Sequence, residues 1–272
     1  MPNIINYCIT SQNYEFLNNL NINIIVAGSE SKSLNKFPHE WIKDNDGINI
    51  SKKNENFGTL TSHYWIWKNK LPTLSKNDWV GINHYRRFWV KNNKLENILI
   101  SNLNENILRE VPDKPDYDVL LPKKIIIPRI KFSKFIKKGF KNYISNPLLL
   151  FKRDETSIKL HFDLFHGYNL LKDAADLLDK NEKYSFLEYI NNNNSFHPLE
   201  MFVSKVELID KLYNSTFNWI NKCEKKFSNL ELKGYGMIRL YDFLAERYFS
   251  YFFEKYAKIK IWPYKLLDEY LK

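Results

Sequence analysis

The stretch NIINYCITSQNYEFLNNLNINIIVAGS, residues 3–29, decides the fold. Its opening NIINYCIT (3–10) alternates as a strand does. NINIIVAGS (21–29) is a second short apolar strand that runs into Gly28. Between them NYEFLNNL reads as a helical segment. Strand, helix and strand in so short a span form a βαβ unit and predict a parallel sheet. Further along, FGTLTSHYWIWKNKL (57–71) places Phe57, Leu60, Tyr64 and Trp67 on one helical face, closed by Pro72. WVGIN (79–83) and YDVLLP (117–122) are further strands, so the N-terminal half is α/β.

The character changes near residue 128. Residues 129–153 are basic and aromatic without a clean strand. Helices are expected over 157–178, in the segment 197–227 after a short strand, and over 237–256, with a last strand at 258–264. The expected organisation is an α/β half, 1–128, and a mainly helical half, 129–272, packed as a single domain.

Composition narrows the function. The 272 residues carry a net charge of +10, with 44% hydrophobic and 16% aromatic residues, so the chain folds and favours anionic partners. An excess of Asn, Lys and Ile, as AT-rich coding produces, accounts for part of that charge. Cys8 and Cys223 are too few and too far apart for a disulfide framework or a metal knuckle, and read as core thiols in a reducing compartment. No leader pattern and no run long enough to span a bilayer is visible, which gives a cytoplasmic expectation. Segment 129–153 interleaves lysines with Phe132, Phe135 and Phe140, a pattern suited either to an anionic membrane surface or to an ordinary amphipathic helix.

In parallel sheets, ligands sit beyond the carboxyl ends of the strands. That rule selects His84, Tyr85, Arg86 and Arg87, directly after strand 79–83. Guanidinium groups bind phosphate oxygens bidentately and keep their charge at every physiological pH. The loop DNDGINIS adds Asp44, Asp46 and Asn49 as groups for a base, a ribose or a metal, or as a plain Asx turn. Asp116 and Asp118 form an Asp-x-Asp, the pattern that holds Mn2+ or Mg2+ on a sugar-nucleotide diphosphate, but at the wrong end of their strand. On the apolar helix 237–256, Asp242 and Glu246 form a polar stripe with Arg239. Buried carboxylates need partners or a task, so Glu246 is read as a general base, with Arg239 or Arg247 as its partner, or else as half of a structural ion pair. His161, His166 and His197 lack a zinc spacing, and no glycine-rich phosphate loop or nucleophile elbow is present. Three readings stay open: a sugar-nucleotide enzyme, a single-stranded nucleic-acid-binding module, and a phosphotransferase.

The joined segments DNDGINISKKNENFGTLTSHYWIWKN and VGINHYRRFW resemble a bacterial capsular polysaccharide and exopolysaccharide synthesis family with a formerly uncharacterised glycosyltransferase domain. YDVLLP, LEMFVSK and FLAERYF extend the likeness over most of the chain. Glu200 stands where that family usually shows Asn, and TSQ where a His-Lys pair is common. The resemblance implies a GT-A-like, Rossmann-type, mostly parallel sheet flanked by helices, with a helical C-terminal part. It implies an inverting transfer of a hexose, galactose or galactofuranose among the candidates, from a UDP-sugar to a lipid-linked or oligosaccharide acceptor of a capsular or lipopolysaccharide glycan. The donor would be held by Asp44, Asp46, Asn49, His84, Tyr85, Arg86, Arg87 and Arg247. Glu246 and Asp242 would carry the chemistry, with no residue assigned to a metal. Nucleic acid is not an expected partner, and the enzyme would work in the cytoplasm or at the inner membrane face, through 129–153.

Overall fold

Ile4–Thr10 forms β1 and Asn23–Val26 forms β2, paired in parallel from Tyr7↔Asn23 to Thr10↔Val26. In the computed structural model, residues 1–92, 94–113, 115–127, 156–234 and 236–267 are described. The connection between the two strands is a single 3-10 turn, Glu15–Asn19, rather than an α-helix. Leu17 is its one buried side chain, so too little apolar surface is available to anchor a longer helix.

Contacts divide the chain into two compact units: residues 1–123, 199–214 and 252–272 in the first, and 124–198 and 215–251 in the second. The expected halves and these units divide the chain differently, because the strands after residue 199 belong to the first unit. The first unit adds β3 (Ile42–Lys43), β4 (Trp79–His84), β5 (Arg87–Trp89) and β6 (Val119–Leu121). After the second unit's β7 (Ile125–Ile126) and β8 (Ser195–Phe196), the first unit takes up β9 (Val203–Lys205), β10 (Ile259–Ile261) and β11 (Tyr264–Leu266). The sheet order is β10-β6-β9-β4-β1-β2-β3, with β5 joining β4 and β11 joining β5. β9 runs antiparallel to both of its neighbours, while β3, β2, β1 and β4 are mutually parallel, as are β6 and β10. The fold is therefore a mostly parallel α/β sheet flanked by helices, as the GT-A-like reading expects.

Its short helices are α1 (Asn54–Phe57), α2 (Leu60–Asn69) and α3 (Leu103–Asn106). Gly58, at φ 49, separates α1 from α2. Leu60, Thr61, His63 and Ile66 are buried, whereas Tyr64 and Trp67, which flank Leu60, are only half-buried. Trp67 instead donates from Nε1 to Asp210 Oδ1 at 2.8 Å and carries the Lys68 ammonium over its ring.

The second unit holds α4 (Ile158–Phe165), α5 (Leu170–Ala175) and α6 (Lys180–Asn192). α7 (Val206–Lys226) and α8 (Leu240–Tyr256) contribute residues to both units. The single helix expected over 157–178 is broken at Gly167 and Asn169, which sit at φ 114 and 60. Trp219, Phe186 and Tyr248 centre this core, and the Trp219 indole is satisfied by the Ala174 carbonyl at 2.7 Å. Cys8 and Cys223 are buried and unbridged. No helix among the described residues is long and apolar enough to cross a membrane, and segment 129–153 lies outside them.

One polar pair lies inside the first unit's sheet. Asn83, at the end of β4, donates to Asn6 Oδ1 at 3.0 Å and to the Tyr7 carbonyl at 3.2 Å. Asn6 in turn donates to the Leu108 carbonyl at 2.9 Å. Gly81 makes room for this pair, since a Cβ there would stand 2.6 Å from Asn6 Oδ1 and 2.9 Å from Ile4 Cγ2. Gly81→Ala is expected to lower unfolding stability by about 1–3 kcal/mol, as overpacking in a filled core does. Urea denaturation checks this, and an unchanged midpoint would show that the strand yields freely.

Candidate active site

The parallel strands β1, β2, β3 and β4 end at one edge, and the loops after β2 and β3 are cross-linked by one carboxylate. Asp44 is fully buried just after β3. It accepts from Gly28 N at 2.9 Å, Ser29 N at 2.9 Å and Ser51 Oγ at 2.6 Å. Gly28 permits this at φ 66, with Asn54 packed where a Cβ would stand. Both Asp44 oxygens are thus engaged in shaping this edge. Asn49 likewise ties its own loop, donating to the Asn45 and Gly47 carbonyls and accepting from Ser51 N. Asp46 is exposed, and its side chain accepts from Gly47 N.

This loop is latched to α2. Trp65 Nε1 donates to the Asp46 carbonyl at 2.8 Å, and Asn69 exchanges hydrogen bonds with both backbone groups of Ile48. The DGINIS loop and the YWIWKN helix are therefore one device, which explains why the two segments occur together in this sequence.

After β4 the chain reverses through His84–Arg87 into β5. The reversal is pinned from within, because Asn83 Oδ1 accepts Trp89 N at 2.9 Å and Trp89 Nε1 reaches the Ile82 carbonyl at 2.9 Å. His84 Nε2 lies 2.8 Å from the Leu199 carbonyl, so Nε2 carries the proton and Nδ1 a lone pair. Burial pushes the His84 pKa down to about 4, and the Arg87 and Arg86 charges push the same way against the Leu199 bond. Tyr85 stacks on Tyr14, with centroids 4.9 Å apart, and the Arg86 guanidinium lies 5.5 Å from the Tyr85 ring centre. Arg87 is half-buried and has no carboxylate within ion-pair distance among the described residues. The result is two guanidinium groups beside a neutral imidazole, at the end of the sheet where ligands bind.

Glu200 is the residue that sequence reasoning passed over as functional. Leu199 and Glu200 both adopt left-handed backbone, at φ 79 and 53, just before β9. β9 is antiparallel, so its beginning lies at the carboxyl ends of its parallel neighbours. Glu200 is buried and accepts from Thr59 Oγ1 at 2.6 Å. Strained backbone of this kind concentrates at functional positions. A lone sequence carries no signal for it, since neither Leu nor Glu favours positive φ. Behind it, buried His63 contacts the Tyr213 hydroxyl at 2.8 Å, and burial with the nearby His84 lowers its pKa to about 3.

Asp242, Glu246 and Arg247 lie in the second unit, on α8. Glu246 forms an ion pair with Arg247, the nearer of the two arginines considered for it. The Arg247 guanidinium is buried, 4.4 Å from the Phe196 ring centre. Here it serves the carboxylate rather than presenting itself to an external phosphate. His161 and His166 pack beside it, and burial and the Arg247 charge keep both below the usual imidazole range. Asp118 sits at the opening of β6, where Lys258 N and Lys205 bind it. Among the described residues, no group of three or more His, Cys, Asp or Glu is arranged to hold a metal ion. In the DNDGINIS loop, both oxygens of Asp44 are committed to Gly28, Ser29 and Ser51 rather than to a metal ion.

Depressed histidine pKa values set a pH dependence. The unfolded chain takes up a proton near pH 6.5, whereas folded His84 and His63 resist until about 4 and 3. Stability present at neutral pH is therefore lost as pH falls below about 6.5, down to those folded values. Urea midpoints between pH 7 and 4 should fall, and His84→Gln should flatten the slope. An unaltered slope in that variant means His84 is not held neutral.

The first unit and the second together are similar in fold to the apo structure of the bifunctional glycosyltransferase WbbM. The TM-score is 0.57 at 18% identity, over 97% of this chain and 45% of that one. The chain thus spans less than half the length of that protein. No curated protein matches. The model of one family matches residues 6–258, and the chain belongs to that family, the domain of unknown function DUF4422.

Proposed function

We propose that the chain is an inverting glycosyltransferase that moves a hexose from a UDP-sugar to a growing capsular or lipopolysaccharide glycan. The observation that carries this reading is the pair Arg86 and Arg87 beside neutral His84 at the carboxyl edge of a parallel sheet. The likeness in fold to a glycosyltransferase supports it.

In the reaction, the acceptor hydroxyl oxygen bonds to the anomeric carbon while the bond from that carbon to the diphosphate breaks. The electron pair departs on UDP. Arg86 and Arg87 stabilise this growing charge as preorganised cations, which cost no reorganisation at the moment of transfer. His84 Nδ1 and the Tyr85 region accept and pack the donor, on an edge shaped by Asp44 and Asn49 and flanked by the exposed Asp46. The acceptor proton goes to Glu246, which Arg247 orients, with Asp242 on the same helix in support. Galactose or galactofuranose as the transferred hexose, and a membrane-surface role for 129–153, follow from the family resemblance and the charge pattern.

Calorimetric titration with UDP, GDP and CMP, in manganese and then in EDTA, tests the reading. UDP-selective binding that survives EDTA is expected, weakened at least ten-fold by Arg87→Ala. Glu246→Gln should retain UDP binding while lowering UDP release from UDP-galactose by about 10²–10⁴-fold, the range for a lost general base. Absence of UDP binding in both conditions would falsify the donor assignment, and full turnover by Glu246→Gln would remove that residue from the chemistry.

A further inference from the structure

The strand that carries Arg87 has a second neighbour. β5 pairs with β11 in the register Leu266↔Arg87 and Tyr264↔Trp89. On the far side of β11 lies a cavity of about 680 Å³, within the size range of small-molecule sites. It opens beyond the carboxyl ends of β6 and β10, with Lys123 following β6 and Ile261 ending β10. This is the other half of the edge on which β1, β2 and β4 end. All of its wall belongs to the first unit.

The wall has a definite chemistry. Trp262 and Tyr264 are half-buried, packed from beneath by the core around Trp79 and Trp89. The Trp262 indole is oriented by Nε1 donating to the Val90 carbonyl at 2.8 Å. Ile261 is 50% exposed beside them, so an apolar surface is left facing water. Lys265 Nζ is held by the Leu95 carbonyl at 2.7 Å, and Lys123 is exposed. Among the described residues, neither lysine has a carboxylate within ion-pair distance and no Asp or Glu lines the cavity. Asn92 adds an amide with both donor and acceptor capacity.

We propose that this cavity is the acceptor subsite of the transferase, and that it takes an acidic saccharide, a sugar ring bearing a carboxylate or a phosphate. The proposal rests on the glycosyltransferase reading for the word acceptor, but the binding itself does not. Fixed aromatic faces suit the C–H face of a sugar ring. Asn92 meets hydroxyls, and Lys123 and Lys265 supply a positive field that no described carboxylate of the cavity wall offsets. A two-substrate reaction needs two sites that meet, and the shared β5–β11 ladder brings this cavity to Arg87.

Titration of the full chain by calorimetry tests this. The probes are tetragalacturonate, neutral maltotetraose, glucose 6-phosphate and inorganic pyrophosphate, each with and without saturating UDP. Tetragalacturonate is expected to bind at least ten-fold more tightly than maltotetraose and, with UDP saturating, glucose 6-phosphate more tightly than pyrophosphate. Lys123→Ala with Lys265→Ala should weaken the acidic probes at least ten-fold and leave UDP affinity unchanged. Trp262→Phe, which keeps an aromatic ring should Trp262→Ala fail to fold, should weaken the sugar probes but not UDP. Equal binding of neutral and acidic tetrasaccharides, or acidic binding untouched by the double lysine variant, overturns the proposal. With UDP saturating the Arg86–Arg87 edge, pyrophosphate binding as tightly as the sugars overturns it in favour of a bare phosphate site. Acidic-sugar binding without any UDP binding keeps the subsite and removes the UDP-transferase reading, so the two failures are separable.

Discussion

The side-chain amide of Asn83 is the interaction on which this edge of the molecule depends. It is fully buried, and every polar atom of that amide is used. One end grips β1 through Asn6 and Tyr7, and the other closes the His84–Arg87 reversal through Trp89 N. A buried amide left half-satisfied costs about 1–3 kcal/mol for each lost bond, so alternative turns are disfavoured. The direction of β5 follows, then its pairing with β11, and so the wall of the cavity beyond.

A second set of buried bonds plays the same part for the neighbouring loops. Asp44 collects three donors from the chain after β2 and β3, and Trp65 and Asn69 lash the same loop to α2. Polar networks satisfied in this way rigidify a region more than apolar contacts do, because their geometry is directional. The positive charge carried by Arg86 and Arg87 is thus mounted on an edge whose loops have little freedom, which is the condition for electrostatic preorganisation.

Much of this was legible in the sequence. The strands at 3–10, 21–29, 79–83 and 117–122 are short apolar runs whose period is unambiguous, and all four form. The rule that ligands lie beyond carboxyl ends then located His84–Arg87 correctly on the sheet. What stayed hidden has physical causes. β3, β5 and β11 are two or three residues long and owe their existence to neighbours rather than to pattern. The burial of Thr61 and His63, beyond the expected face of α2, is set by tertiary packing rather than by apolar period. The left-handed pair Leu199–Glu200 is invisible because neither residue type signals positive φ. Asp44 could be flagged as functional from its type, but only the fold reveals that two backbone amides and the Ser51 hydroxyl engage it.

The two neutral histidines have a further consequence. Between roughly pH 5 and 10, neither His84 nor His63 changes charge. The two imidazoles therefore add no change to the electrostatic potential of this edge over that range. Within the folded protein they act as fixed neutral dipoles, and any pH dependence above about 5 under the proposed function would enter through other groups.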